Sequence, residues 1–235
     1  MTLQSIASNI AEVRREIAAA ARACGRDPGD IELIAVSKTQ PPGAIREAAA
    51  AGCRAFGENY PAEAAAKQEV LSDLDVAWHF IGAIQSNKTR LIAGRFTWVH
   101  TVSREKIAHR LAEQTPPGKR LNVCLQVNVD RDPNKAGVAP DDAATLLAAV
   151  RALPNLQVRG LMTILHPATS PAAGYGRLAE LFAALRPEAP ERWDTLSMGM
   201  SADYREAIAA GATHIRVGTA IFGERMTARP GAADV

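Results

Sequence analysis

The sequence predicts a single (β/α)8 barrel, and two observations carry that prediction. Short runs rich in β-branched residues alternate with alanine-rich stretches of helical character, which is typical of parallel strands joined by crossover helices. The competing fold, an open doubly wound sheet, usually has fewer strands and a glycine-rich turn after the first one, and this chain has no such turn. A closed barrel is therefore favoured, and residues 1–235 suit one domain of that kind.

The first predicted element is an amphipathic helix that lies outside the barrel proper. Four apolar residues recur at helical spacing on one face: Ile6, Ile10, Val13 and Ile17. Gly25 can end this helix, because glycine readily adopts the backbone conformation that terminates helices. Residues 1–25 therefore form an N-terminal helix in this interpretation.

Eight strands follow, and the fifth is the clearest because its near-continuous apolar run suits a parallel sheet covered on both faces. Prolines at positions 41, 42 and 61 are typical of the first turns of helices and mark where two helices begin. Loops are expected at residues 130–140 and 166–176, and a disordered tail at residues 226–235. The predicted strands are residues 31–36, 54–56, 77–81, 96–100, 121–127, 157–162, 195–197 and 214–217.

Composition and charge exclude several classes of protein. A formal net charge of +2 gives no sign of a nucleic-acid or membrane partner. Cys24, Cys53 and Cys124 lack the spacing of a disulfide framework or a zinc site. No apolar run approaches the roughly 18 residues of a spanning helix, and the charged N-terminal helix does not resemble a secretory signal. We therefore expect a soluble, cytoplasmic protein without a metal.

Candidate functional residues follow the strands directly, because active sites of barrels form at the carboxyl ends of the strands. Lys38 comes just after the first strand, where its amine could attack a carbonyl group and form a Schiff base. The alternative is an ordinary solvated lysine at the end of a strand.

Small polar residues after the last two strands point to a phosphate site. Ser201 follows the seventh strand at an expected helix N-cap, while Gly218 and Thr219 follow the eighth strand at another helix start. Helix N-termini bind phosphate through free N–H groups, and barrels often place phosphate after these two strands. Plain helix caps are the alternative for Ser201 and Thr219.

A lysine combined with a phosphate site suggests a phosphorylated aldehyde, and pyridoxal 5′-phosphate is the commonest one. Arg216 lies on the last strand, where its inward-pointing guanidinium could donate a hydrogen bond to the pyridine nitrogen. An ion pair in the barrel core is the alternative role for this arginine.

Eight short motifs along the chain carry most of these residues. They are VSKT at 36–39, FGENY at 56–60, WHFIG at 78–82, QSNK at 85–88, KAG at 135–137, GLMT at 160–163, LSMGMS at 196–201 and RVGTAIFG at 216–223. In order and content, from about residue 31 to about residue 225, they resemble the pyridoxal phosphate homeostasis proteins.

The resemblance implies a barrel like the N-terminal domain of alanine racemase, with pyridoxal 5′-phosphate as its cofactor. It implies that the cofactor is attached to Lys38, that Asn59 lies close to it, and that Arg216 meets the ring nitrogen. It further implies phosphate contacts from Ser201, Gly218 and Thr219.

Other polar residues of the motifs have roles that the sequence leaves open. His79 is expected to be a satisfied core histidine, and Lys135 a solvated charge in a loop. Glu58 could orient Asn59 or pair with a nearby base. Residues 85–88 could be helix caps or ligand contacts.

For function, the resemblance implies a carrier or regulator of vitamin B6 and amino-acid balance without robust catalysis. A racemase needs a second base opposite Lys38, and these 235 residues lack the added domain whose tyrosine plays that part in alanine racemase. The alternative is a weak amino-acid racemase or another enzyme of unknown substrate that uses this cofactor. A phosphosugar-binding barrel would leave the motifs unexplained. Apo enzymes that use the cofactor are the expected protein partners, and a monomer the expected state.

Overall fold

A computed structural model describes residues 5–223 and shows one closed barrel of parallel strands, which confirms the predicted fold class. The strands are β1 (Glu32–Val36), β2 (Ala55–Glu58), β3 (Ala77–Phe80), β4 (Trp98–Val102), β5 (Leu121–Gln126), β6 (Leu156–Met162), β7 (Thr195–Met200) and β8 (His214–Val217). Each strand pairs in parallel with its neighbours in sequence, and β8 pairs with β1 to close the barrel. The predicted tail at residues 226–235 lies outside the described residues.

Helices surround the barrel and connect its strands. They are α1 (Ile6–Ala23), α2 (Pro42–Ala50), α3 (Pro61–Val70), α4 (Thr89–Arg95), α5 (Glu105–Gln114), α6 (Ala143–Arg151), α7 (Pro171–Ala184), α8 (Tyr204–Ala209) and α9 (Thr219–Phe222). As predicted, α1 is amphipathic: it buries Ile10, Val13 and Ile17 and packs against α2, α8 and α9. Ser5 caps its first turn, where the Ser5 hydroxyl accepts a hydrogen bond from the backbone N–H of Ser8.

Side chains alternate along each strand between the barrel interior and the surrounding layer of helices. On β8, Arg216 lies inside the barrel, whereas Ile215 and Val217 are buried in the apolar layer under the helices. The apolar layer supplies most of the buried core. Polar inward residues such as Arg216 are therefore placed for a site rather than for packing alone.

Several predicted boundaries differ from the structure: the second and fourth strands end at Glu58 and Val102, beyond their predicted ends at residues 56 and 100. The seventh strand continues to Met200, beyond its predicted end at residue 197. The predicted loop at residues 166–176 ends early, because α7 begins at Pro171. Burial of Tyr175 and Leu178 on α7 outweighs the weak helix propensity of the two glycines in its first turns.

Within residues 5–223, no helix is long and apolar enough to cross a membrane. The same residues contain no cluster of side chains suited to a metal ion. Cys24, Cys53 and Cys124 are all free thiols.

Candidate functional site

A pocket of about 310 Å³ opens at the carboxyl ends of the strands. Its apolar lining residues Val36, Ile81, Ile164 and Met200 were not proposed from the sequence as site residues. The six residues proposed from the sequence as cofactor-binding also line it: Lys38, Asn59, Ser201, Arg216, Gly218 and Thr219. Residues from four distant parts of the chain therefore meet in one place.

The backbone on both sides of Lys38 is fixed by α3. The carbonyl of Ser37 accepts a hydrogen bond from Nζ of Lys67 at 2.7 Å. The N–H of Thr39 donates to Oε1 of Glu63 at 2.6 Å, and Thr39 has a φ of 64°, in the left-handed region that residues other than glycine seldom adopt. These contacts hold the start of the Lys38 side chain at the rim of the pocket.

Glu58 pairs with a base, which is one of the two roles that the sequence left open. Its Oε1 accepts hydrogen bonds from the Ser37 hydroxyl at 2.7 Å and from Nζ of Lys67 at 2.9 Å. Burial raises the pKa of the Glu58 carboxyl, although the hydrogen bonds from Lys67 and Ser37 oppose that rise. The pair ties β2 to α3 directly behind Lys38.

Asn59 lines the pocket, and the segment that follows β3 passes very close to its backbone. A Cβ atom at Gly82 would lie only 2.2 Å from the carbonyl oxygen of Asn59, so this approach requires glycine. The side-chain oxygen Oδ1 of Asn59 is buried and has no hydrogen-bond partner within the described chain. A buried amide oxygen without a partner in a pocket indicates a missing hydrogen-bonding ligand.

The chain turns at the end of β7, where Gly199 has a φ of 92°, in the left-handed region. The turn is held by Asp203, whose Oδ1 accepts a hydrogen bond from the backbone N–H of Met200 at 2.7 Å. The predicted N-cap role of Ser201 is wrong, because α8 begins at Tyr204 and its N-cap is Asp203. Ser201 lies instead in the turn before the helix, where it lines the pocket.

Gly218 and Thr219 lie at the start of α9, as predicted. Gly218 is the N-cap of this short helix, and Thr219 is its first residue. The first N–H groups of a helix have no partner within it, so they are available to a ligand. Together with Ser201, these residues give the pocket a group of small polar contacts.

Arg216 is buried and donates two hydrogen bonds inside the barrel. Nη1 donates to Oγ of Ser197 at 2.8 Å, and Nη2 donates to the carbonyl of Thr163 at 2.9 Å. Burial lowers the pKa of Arg216, but a guanidinium remains protonated at neutral pH. Its partners are neutral, so the alternative role as half of a core ion pair is not observed among residues 5–223.

Ser197 continues the contact to two histidines that sequence reasoning did not connect to the site. Nδ1 of His100 lies 2.8 Å from Oγ of Ser197, and Nε2 of His100 lies 2.9 Å from Nδ1 of His79. Burial lowers the pKa of His79 to about 3 and the pKa of His100 well below its usual range, so both rings are neutral. His79 is not the fully satisfied core histidine that we expected, because its Nε2 has no partner among the described residues.

The other open motif residues lie outside the pocket. Gln85, Ser86 and Asn87 are exposed and lead into α4 without lining the pocket. Lys135 is not a solvated charge, because its Nζ donates to the carbonyl of Ile164 at 2.9 Å and lies 3.4 Å from a carboxylate oxygen of Asp130. Lys135 therefore braces the loop that carries Ile164 at the pocket.

Comparison with known proteins identifies the family. The family profile of the alanine racemase N-terminal domain matches residues 2–226. A protein of Pseudomonas aeruginosa named pyridoxal phosphate homeostasis protein is 55% identical over 227 residues, covering 95% of this chain and 97% of that one. A protein of the same name from Escherichia coli is 47% identical over 230 residues, covering 95% of this chain and 98% of the other.

Solved structures agree with these relatives. PipY of Synechococcus elongatus, determined without PLP, is 42% identical with a TM-score of 0.85 and covers 93% of this chain and 100% of its own. The same protein with PLP bound is 41% identical with a TM-score of 0.82 and the same coverage. Alanine racemase of Corynebacterium glutamicum, with 18% identity and a TM-score of 0.65 over 92% of this chain and 61% of its own, shares the fold alone. The chain therefore belongs to the pyridoxal phosphate homeostasis proteins, within the family of the alanine racemase N-terminal domain.

Proposed function

We propose that this chain binds pyridoxal 5′-phosphate in the pocket, forms a Schiff base with it through Lys38, and takes part in intracellular homeostasis of this cofactor and of amino acids. The observation that carries the proposal is the meeting of Lys38, Arg216 and the small polar residues in one pocket. Relatives named for pyridoxal phosphate homeostasis and a PipY structure with PLP bound support it.

The residues present fit the parts of this cofactor. The bound cofactor supplies an aldehyde that reacts with amines and a pyridine ring that can accept electron density. In the proposed arrangement Ser201, Gly218 and Thr219 bind the phosphate. Arg216 donates to the ring nitrogen with an N–H that Ser197 and Thr163 do not use. The unpartnered Oδ1 of Asn59 accepts a hydrogen bond from the bound ligand.

The pocket lining supports a holding role more than rapid carbanion chemistry. Lys38 and Arg216 are the titratable residues among the described pocket lining. None of the three tyrosines, which could have been the second base, lines the pocket: Tyr60 is 55% exposed, Tyr175 is buried on α7, and Tyr204 hydrogen bonds to Glu16 on α1. Racemisation needs an acid or base on each face of the substrate, and this lining offers one amine.

The mouth of the pocket supports exchange of the cofactor with other proteins. Ile164 and Met200, two apolar residues of the pocket lining, are 37% and 36% exposed. A site with an exposed rim exchanges ligand more readily than one closed by a lid. The proposal therefore includes transfer of the cofactor to apo enzymes. We further propose that the protein is a cytoplasmic monomer.

The test is a titration with pyridoxal 5′-phosphate followed by visible absorbance. We expect a saturable Schiff-base band for the wild type and for the control Lys106→Ala, which changes an exposed lysine on α5. Lys38→Ala should show no such band. An equal band for Lys38→Ala and the wild type would contradict the proposal.

A further inference from the structure

A line of hydrogen bonds runs from the pocket into the middle of the barrel. It starts at Arg216 in the pocket lining and passes to Oγ of Ser197 at 2.8 Å. It continues to Nδ1 of His100 at 2.8 Å and from Nε2 of His100 to Nδ1 of His79 at 2.9 Å. Ser197, His100 and His79 are each 0% exposed and Arg216 is 4% exposed, so solvent does not compete for these contacts.

The direction of the hydrogen bonds follows from Arg216. A guanidinium can only donate, so Oγ of Ser197 must accept from it. The Ser197 hydroxyl hydrogen then finds its acceptor at Nδ1 of His100. His100 in turn carries its hydrogen on Nε2 and donates to Nδ1 of His79, which carries its own hydrogen on Nε2.

The opposite direction leaves more groups unsatisfied. If Nδ1 of His100 donated to Ser197, the Ser197 hydroxyl hydrogen and Nε2 of His79 would both lack a partner among the described residues. In the direction set by Arg216, only the Nε2–H of His79 lacks one. Buried polar groups without partners are costly, so the arrangement with one such group is preferred.

The surroundings keep both histidines neutral. Charged or titratable groups that influence them are Glu32 of β1 and His214 and Arg216 of β8. Trp98 of β4 stacks on the His79 ring, with ring centroids 5.5 Å apart. A proton on either ring would place a second positive charge in the same dry interior as Arg216.

We infer that Ser197 and His100 are positioning residues for Arg216, and that a neutral chain with both histidines protonated on Nε2 fixes the guanidinium at the pocket. This inference rests on the proposed function, in which Arg216 meets the ring nitrogen of the cofactor. No carboxylate takes part in this chain of hydrogen bonds, although the charge of Asp203, in the turn before α8, acts on Arg216 without a hydrogen bond to it. In the proposed site the Arg216 guanidinium, which can only donate, would pair with an unprotonated ring nitrogen, and this would weaken the ring as an electron acceptor.

The first test needs no cofactor. Histidine side chains labelled with ¹⁵N report by NMR which ring nitrogen carries hydrogen, and His79→Phe and His100→Phe assign the signals. At neutral pH we expect the Nε2–H form of both residues, and Ser197→Ala should change the His100 signals. A charged ring, or hydrogen on Nδ1 of His100, would overturn the inference.

The second test uses the bound cofactor. Ser197→Ala should weaken affinity for pyridoxal 5′-phosphate by about tenfold, since a hydrogen bond to a charged group is lost. Ser197→Ala should also shift the pH at which the visible band changes. Ser197→Thr keeps the hydroxyl, so its affinity and its pH of spectral change should both lie close to those of the wild type. The control is Thr115→Ala, which removes another buried hydroxyl, at the C-cap of α5.

The outcomes separate the two proposals. A wild-type protein that forms no Schiff-base band contradicts the proposed function, while the NMR result still decides the hydrogen-bond direction. A wild type that binds normally, together with a Ser197→Ala protein of equal affinity and equal pH dependence, contradicts the positioning role. The unfolding midpoint of each variant without cofactor shows whether the variant and the control are equally stable. At equal stability, a loss of affinity larger than that of the control supports the positioning role.

Discussion

His79 is buried inside the barrel, and burial lowers its pKa from 6.5 to about 3. A histidine with a lowered pKa in the folded state contributes stability that is present above its unfolded pKa and is lost as the pH falls toward the folded pKa. We expect the free energy of unfolding to fall by roughly 1 kcal/mol per pH unit below about pH 6 on account of this residue. Urea denaturation at a series of pH values measures that slope.

His79→Phe should reduce the slope, because the proton taken up by His79 on unfolding is removed. Thr115→Ala, a buried substitution at the C-cap of α5 that changes no titratable group, should keep the wild-type slope. Equal slopes for the wild type and His79→Phe would show that His79 does not take up a proton on unfolding.

Asn59 gives a second prediction at the level of one residue, because its buried Oδ1 has no partner in the described chain. Asn59→Ala removes this unsatisfied group, so the free energy of unfolding without cofactor should not decrease. Affinity for pyridoxal 5′-phosphate should decrease by about tenfold, because one buried hydrogen bond is lost. Gln114→Ala, which removes another such oxygen on α5, should leave the affinity unchanged. Lower stability with unchanged affinity would assign Asn59 to the scaffold.

At the level of elements, α3 and the ends of β1 and β2 act as one unit through Lys67. Its Nζ binds the Ser37 carbonyl and the Glu58 and Glu63 carboxylates. Lys67→Met leaves Glu58 buried without its cation, and loss of one partner of a buried pair costs roughly 3 to 5 kcal/mol. We expect a loss of about 3 kcal/mol in the free energy of unfolding at neutral pH, measured by urea denaturation.

The pH dependence of that variant has a definite sign. Burial raises the pKa of Glu58 in the folded protein, so stability from its protonated form is greatest at low pH and is lost as the pH rises through the folded pKa. Lys67→Met should therefore recover part of its stability as the pH is lowered. Lys106→Met is the control on an exposed lysine. A Lys67→Met protein as stable as this control would contradict the role of Lys67 in joining α3 to β1 and β2.

The elements themselves were largely predictable from the sequence, because apolar runs mark strands that are covered on both faces. The ends of the elements were less predictable. The seventh strand extends to Met200, and α8 begins at Tyr204 because its N-cap is Asp203 and not Ser201. Of the six proposed pocket residues, Lys38, Ser201, Gly218 and Thr219 were found because they follow strands. Arg216 was found from its inward position on the last strand, and Asn59 from the family resemblance. The contact between His100 and Ser197 joins residues 97 positions apart, and no local pattern reveals such a pair.

Polar residues at inward positions were the available signal for that network. His79, His100 and Arg216 interrupt apolar strands, and an inward polar residue in a barrel needs a partner across the interior. The strand register that brings them together is a property of the closed barrel and is set by all eight strands.

At the level of the whole molecule, a ligand that binds the folded chain raises its thermal stability. Pyridoxal 5′-phosphate at about 100 times its dissociation constant should stabilise the protein by about 2.7 kcal/mol. For a chain of this size, that corresponds to an increase in Tm of about 5 to 10 °C, measured by calorimetry. Lys38→Ala should lose most of the increase, whereas Lys106→Ala should keep it. An equal increase for Lys38→Ala would mean that binding does not depend on the lysine.

Borohydride reduction of the protein loaded with pyridoxal 5′-phosphate, followed by peptide mass mapping, shows directly which amine holds the cofactor. Reduction makes a Schiff base permanent, so the added mass marks the residue that formed it. We expect the added mass on the peptide that contains Lys38, and not on those that contain Lys67, Lys88 or Lys135. Stoichiometric label on another lysine, with Lys38 unmodified, would contradict the account of this pocket.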